Sequence, residues 1–215
     1  MHPWDVDPKE AIRIQERLAG EVEAAPLAGP VETVAGIDVS IRDDTAQAAI
    51  AVLRLPDLDV VDEAIYRCAV PFPYVPGLLS FREMPAILPA LERLSVRPDV
   101  LMTDSQGLAH PRRFGLACHL GVVLDHPALG VAKSRLTGEP AGNLATEKGA
   151  HVPLVDGGKT VGALLRTRTD VNPVYVSIGH RMTLDDALHL TLECSPRYKI
   201  PEPTRQAHAL SRTGA

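Results

Sequence analysis

Apolar and polar residues recur along this chain with two different periods, and the switches between them mark out its elements. From residue 8 to about residue 24, Ala11, Ile12, Ile14, Leu18 and Val22 recur at roughly helical spacing with charges between them. Asp7 before Pro8 makes a good N-cap with proline in the first turn, so the spacing predicts an amphipathic helix. After the turn-rich PLAGPVE, the run TVAGIDVSI is short, apolar and β-branched, which predicts a buried strand carrying one carboxylate, Asp38. Residues 46–55 and 58–70, parted by Pro56 and Asp57, predict two further strands in an antiparallel meander.

The prolines and glycine of PFPYVPG forbid regular structure. Beyond them Ser80 is placed to cap a helix running to about residue 94, with Glu83 at capping-box spacing and Pro85 close enough to the start to be tolerated. VLMTD predicts a compact strand ending in Asp104, followed by the loop SQGLAHPRRFG, a helix from about Leu116 and a short strand in HPALGVAK. The later chain predicts strands near Val152 and over residues 161–166 and 174–178, a helix over residues 183–193 and a last helix after Pro203. Strands first, then helices and strands in alternation, predict one α/β domain over residues 1–215, built on a mixed β-sheet flanked by helices.

Composition agrees with one domain: of 215 residues 45% are hydrophobic and 23% charged, enough apolar material for a substantial core. No stretch approaches the roughly 18 uncharged apolar residues that span a bilayer, and MHPWDVDPKEAIRIQ is no signal peptide, so a cytoplasmic protein away from membranes is expected. Cys68, Cys118 and Cys194 lie far apart without a CxxC pair, which reads as reduced, structural thiols. A net charge of -5 would disfavour nucleic acid if it were spread evenly. It is not: Arg112, Arg113, Lys133 and Arg135 face only Asp125, and Arg197, Lys199, Arg205 and Arg212 face only Glu202.

Carboxylates in a sheet are costly unless they are paired, hydrogen-bonded or bound to metal. A lone strand-terminal aspartate usually caps a turn or helix, and Asp38 and Asp104 each admit that reading. Taken with Glu83 they also suit a divalent cation, because magnesium prefers hard oxygen ligands and stabilises both the attacking water and the leaving oxygen in phosphodiester hydrolysis. Spacing alone does not bring the three acids together.

Longer strings decide between these readings. TVAGIDVS, PYVPGLLSFRE, TDSQGLAHPRRFGLACHLGV, LGVAKSRLTG, GHRMTLDDAL and YKIPEPTRQAH resemble, in order and over almost the whole chain, the motifs of the endonuclease V family. The resemblance implies a ribonuclease-H-like fold, catalytic acids at Asp38, Glu83 and Asp104, and an active-site lysine at Lys133. It also places His208 where the family carries Asp or His near the metal. PYVP resembles the family's strand-separating wedge, with Tyr74 at the tip and Pro73, Val75 and Pro76 stiffening it. Gly107, Leu108 and His110 map to the loop around the flipped base, where backbone amides would read the purine, and Arg112 and Arg113 are expected at phosphate. Implied, too, are a Mg2+ cofactor, with Mn2+ able to substitute, and a monomer acting on damaged DNA. It would nick one nucleotide 3′ of deaminated bases, chiefly deoxyinosine. Inosine-containing RNA as substrate, non-catalytic binding of deaminated bases, and another metal-dependent chemistry on the same fold are the alternatives. Ser105, Ser134 and Ile178 depart from the family pattern, and Ser105 puts base preference in question.

Overall fold

The computed structural model describes residues 2–213. In chain order these form α1 (Pro8–Leu18), β1 (Thr33–Arg42), β2 (Thr45–Arg54), β3 (Asp59–Ala69), α2 (Leu79–Leu91), β4 (Val100–Thr103), α3 (Leu116–Leu124), β5 (Ala128–Ala132) and β6 (Glu139–Pro140). There follow β7 (His151–Asp156), β8 (Lys159–Leu165), β9 (Val174–His180), α4 (Leu184–Glu193) and α5 (Glu202–Leu210). All the strands join one sheet in the order β3-β2-β1-β4-β5-β9-β8-β7-β6. The predicted meander is present, β1 with β2 and β2 with β3 antiparallel. The sheet becomes mixed where β4 lies parallel to both β1 and β5.

Strand period explains how the sheet is covered. Every residue of β2 except its two ends is buried. Ala48, Ile50 and Val52 pack with Met84, Ala86, Ile87 and Ala90 of α2, while Ala51 and Leu53 pack with Ala207 of α5. A strand sandwiched in this way reads as a continuous apolar run. At Gly36 of β1 an added Cβ would lie 1.9 Å from the Pro203 carbonyl oxygen, so glycine there lets the start of α5 sit directly on the strand. Asp38, two residues on, points to the same face.

Several local expectations are corrected. The first helix stops at Leu18 and continues only as a 3-10 turn over Ala19–Glu21, where Gly20 weakens helix. Ser80 does not cap α2: the helix starts at Leu79 without a side-chain cap, and Ser80 is buried against His119 Nδ1 at 2.9 Å. The predicted capping box is therefore absent. It forms instead at α4, between Thr183 and Asp186. Pro85 lies well inside α2, as does Pro89; the helix runs through both, held by the burial of Phe81, Met84 and Ile87. Among the described residues, no helix is long and apolar enough to cross a membrane.

Candidate active site

The parallel strands β1 and β4 end unevenly. Ile37 pairs with Thr103, the last residue of β4, so Asp38 looks over the open end of its neighbour and Asp104 follows immediately. Lys133 likewise comes one residue after β5. The site thus sits at the carboxyl ends of parallel strands, where open α/β sheets bind ligands.

From there the side chains converge. Asp38, Asp104 and His208 each bring one ligand atom to within 4.8 Å of the others. Asp38 Oδ2 accepts from the Ser211 hydroxyl at 2.6 Å and lies 3.2 Å from His208 Nδ1. Lys133 Nζ donates to the Asp104 carboxylate. Both aspartate side chains are only 14% exposed. Glu83 reaches the same spot from α2, lining with Asp38 and Asp104 a cavity of about 40 Å³, though it stands outside the three-residue cluster. Burial, and then the negative charges of Asp38 and Asp104, push the Glu83 carboxyl up to about 8, while Arg82 opposes them. Lys133 is bonded to Asp104 alone of the three acids, and hard oxygens with one imidazole are a donor set that fits a divalent cation.

A second cavity, of about 420 Å³, adjoins the first and shares Asp104 with it. Its walls are the 74–77 loop, Ser105 and Gln106, His110, and the segment from Ala132 to Leu136 that includes Lys133. Tyr74 stands at its rim, 72% exposed, beside Val75 and Pro76. Pro73 lies outside the lining.

Other predicted residues are placed differently. Gly107 and Leu108 do not line the cavity: the Gly107 N–H donates to Ser177 Oγ at 2.8 Å, and the Leu108 N–H to the Ile178 carbonyl at 2.9 Å. Their amides are engaged with β9. Arg112 donates Nε to Gln15 Oε1 at 2.6 Å and Nη2 to the Gly77 carbonyl at 2.7 Å. Arg113 is bound to Asp156 and to the His110 carbonyl. Ser105 turns its hydroxyl back to Thr103 at 2.7 Å. The pocket-facing side chain that sequence reasoning missed is Gln106. It is buried, donates Nε2 to the Ser134 carbonyl at 2.9 Å, and leaves Oε1 without a partner among the described residues. Its place beside Asp104 was the available signal. Ser211 gave none, because nothing local ties it to Asp38.

Known proteins resemble this chain over nearly its whole length. The sequence model described as Endonuclease V matches residues 16–209. Endonuclease V of Roseiflexus castenholzii is 51% identical over 215 residues, covering 99% of this chain and 96% of the relative. The crystal structure of endonuclease V from Streptomyces avermitilis superposes with a TM-score of 0.92 at 45% identity, covering 97% of this chain and 93% of that one. A Ciona intestinalis endonuclease V variant, crystallised with a 23mer DNA containing an inosine followed by a ribo-adenosine, superposes with a TM-score of 0.84 at 25% identity, covering 96% and 97%. The α/β, ribonuclease-H-like fold expected from the sequence is the one these structures share.

Proposed function

This chain belongs to the endonuclease V family of metal-dependent phosphodiester hydrolases, and from that membership we propose that it nicks DNA one nucleotide 3′ of deaminated bases, chiefly deoxyinosine. One observation carries the reading. A cavity of about 420 Å³, roomy enough for an extruded purine, meets the acidic cluster at Asp104, so that a base held in the first sets a backbone phosphate beside the second. The DNA of the Ciona complex, with its inosine, supports the substrate class.

Asp38, Asp104, Glu83 and His208 would hold Mg2+, or Mn2+ in its place. A divalent cation there supplies Lewis acidity to an attacking water and to the departing 3′ oxygen. Lys133 adds a fixed positive charge beside the phosphate. Ser211 fixes one oxygen of Asp38, leaving the other for the reaction. Tyr74, set between prolines, enters the stack as the base leaves. Water adds to phosphorus, the bond to the 3′ oxygen breaks, and the damaged base stays attached to its strand. The protein acts as a single-domain monomer.

A labelled duplex with one deoxyinosine tests this, incubated with Mg2+ or with EDTA, using the unaltered protein and Asp38→Ala. The expected result is a Mg2+-dependent nick 3′ of the lesion, absent from undamaged duplex and lost in the variant. Binding of the lesion without cutting in any divalent metal would overturn the reading in favour of a non-catalytic binder. The ribo-adenosine in the Ciona complex favours a second reading, cleavage of inosine-containing RNA. Matched DNA and RNA strands rank the two.

A further inference from the structure

The loop that carries Tyr74 is tied down at one atom. Gly77, which closes the loop with φ +79, presents its carbonyl oxygen to three donors from two distant parts of the chain. Gln15 Nε2 of α1 lies 3.1 Å away, His110 Nε2 3.1 Å and Arg112 Nη2 2.7 Å. Two lone pairs shared among three donors leave that oxygen fully occupied. The donors are linked to one another as well. Arg112 Nε donates to Gln15 Oε1 at 2.6 Å, and the Arg112 backbone N–H donates to His110 Nδ1 at 3.2 Å, which leaves the ring proton on Nε2 for Gly77. Gln15 spends its second amide hydrogen on the Phe114 carbonyl at 3.1 Å. It is 1% exposed, so every polar atom of its side chain is used inside the protein.

A charged amphipathic helix has little reason to bury a glutamine. Alanine or leucine would fill that position without a polar group to satisfy. Loop 73–77 has no strand or helix pairing of its own, and Tyr74 projects 72% exposed from it. An exposed ring that must force stacked bases apart, at a cost of a few kcal/mol, works only if the loop beneath it yields less than the stack does. We infer that Gln15, His110 and Arg112 are positioning residues for strand opening, converging on the Gly77 carbonyl to make the Tyr74 loop rigid. The inference rests on the strand-opening reading given above. It also gives α1, which contributes nothing to the acidic cluster, a part in the reaction.

Gln15→Met keeps the volume and removes the amide. Two measurements separate a rigid hub from general packing. Hydrogen exchange of the segment from Phe72 to Ser80 in the free protein reads the hub without catalysis, and exchange in that segment should quicken while the sheet amides keep their protection. Single-turnover nicking of one deoxyinosine in duplex and in single-stranded DNA reads the consequence. The duplex rate should fall about tenfold, the size of the single hydrogen bond lost at the Gly77 carbonyl, with the single-strand rate within about twofold of the unaltered protein. Unchanged exchange overturns the hub. Faster exchange with equal losses on both substrates overturns its link to strand opening. If the unaltered protein cuts neither substrate, the nuclease reading and the strand-opening inference fall together, whereas exchange still decides the hub. Arg112→Lys, read by exchange alone, repeats the test should Gln15→Met fail to fold.

Discussion

Ser211 and His208 meet the same oxygen of Asp38 from one helix end, and they are separable by experiment. His208 offers a ligand atom to a cation, whereas Ser211 only orients the carboxylate. Groups that orient a metal ligand typically change affinity by 10- to 100-fold when removed. Ser211→Ala should therefore raise the Mg2+ concentration for half-maximal nicking by about tenfold, with the rate at saturating metal little changed. A metal titration reads both; a lowered plateau at unchanged midpoint would place Ser211 in the chemical step instead. Asp38 and Asp104 were legible because a carboxylate inside or at the end of an apolar run violates the strand pattern, and the family strings then linked Glu83, read at capping-box spacing on a helix, to them. Ser211, Gln106 and Gln15 were not. Each is an ordinary polar residue whose partner lies across the fold, as with Gln15 and Arg112 at a separation of 97 residues.

Helix α5 decides whether His208 reaches Asp38 at all, and its seat is β1. Gly36 admits the Pro203 carbonyl, and at the far end Gln47 of β2 donates Nε2 to the carbonyls of Ser211 at 2.8 Å and Thr213 at 3.1 Å. These bonds supply partners for carbonyls past the helix end that have no successor turn. Gly36→Ala must push α5 off the strand, because its Cβ would meet backbone rather than a flexible side chain. Overpacking of this kind costs about 1–3 kcal/mol. The variant should melt earlier and bind Mn2+ more weakly, measured by calorimetry. Gly20→Ala, whose Cβ would meet nothing within 4 Å, should leave metal binding unchanged. Equal metal affinity in Gly36→Ala would mean that α5 does not set the ligand geometry. At this scale the strands other than the two-residue β6, which has no apolar run, were readable to within a residue or two. The errors fell on helix ends: Ser80 was drawn from its cap to His119 by tertiary contact, and the first helix stopped at Leu18, ahead of Gly20.

Across the whole molecule, buried histidines set the response to acid. His119 is held down to about 3, by burial first and then by the neighbouring His2, with Ser80 and His2 on its two ring nitrogens. His110 is held down to about 4, by burial and then by the charge of Arg112. His2 and His126 are lowered in the same direction, burial again coming first. In the unfolded chain each would take up a proton near 6.5. Below that pH the unfolded state binds more protons than the folded one, so stability falls as pH falls, by up to about 1.4 kcal/mol per pH unit for each fully buried ring. Carboxylates held low by backbone N–H donors, such as Asp7 and Asp62, lose their contribution only near and below their unfolded values around 4. Glu83, pushed up to about 8, keeps its proton in the folded chain across the interval from pH 6.5 to about 5 and opposes the histidines there, so the part of one ring is read as the difference between a variant and the unaltered protein. A thermal melt series in EDTA should show the midpoint dropping across that interval, and His119→Gln should flatten the drop while leaving the steeper loss below pH 4 in place. An identical slope in the variant would mean that His119 charges in the folded state, which its contacts with Phe81, Phe114 and Trp4 oppose, since an imidazolium in that cluster would have exchanged its water for aromatic rings and a second histidine.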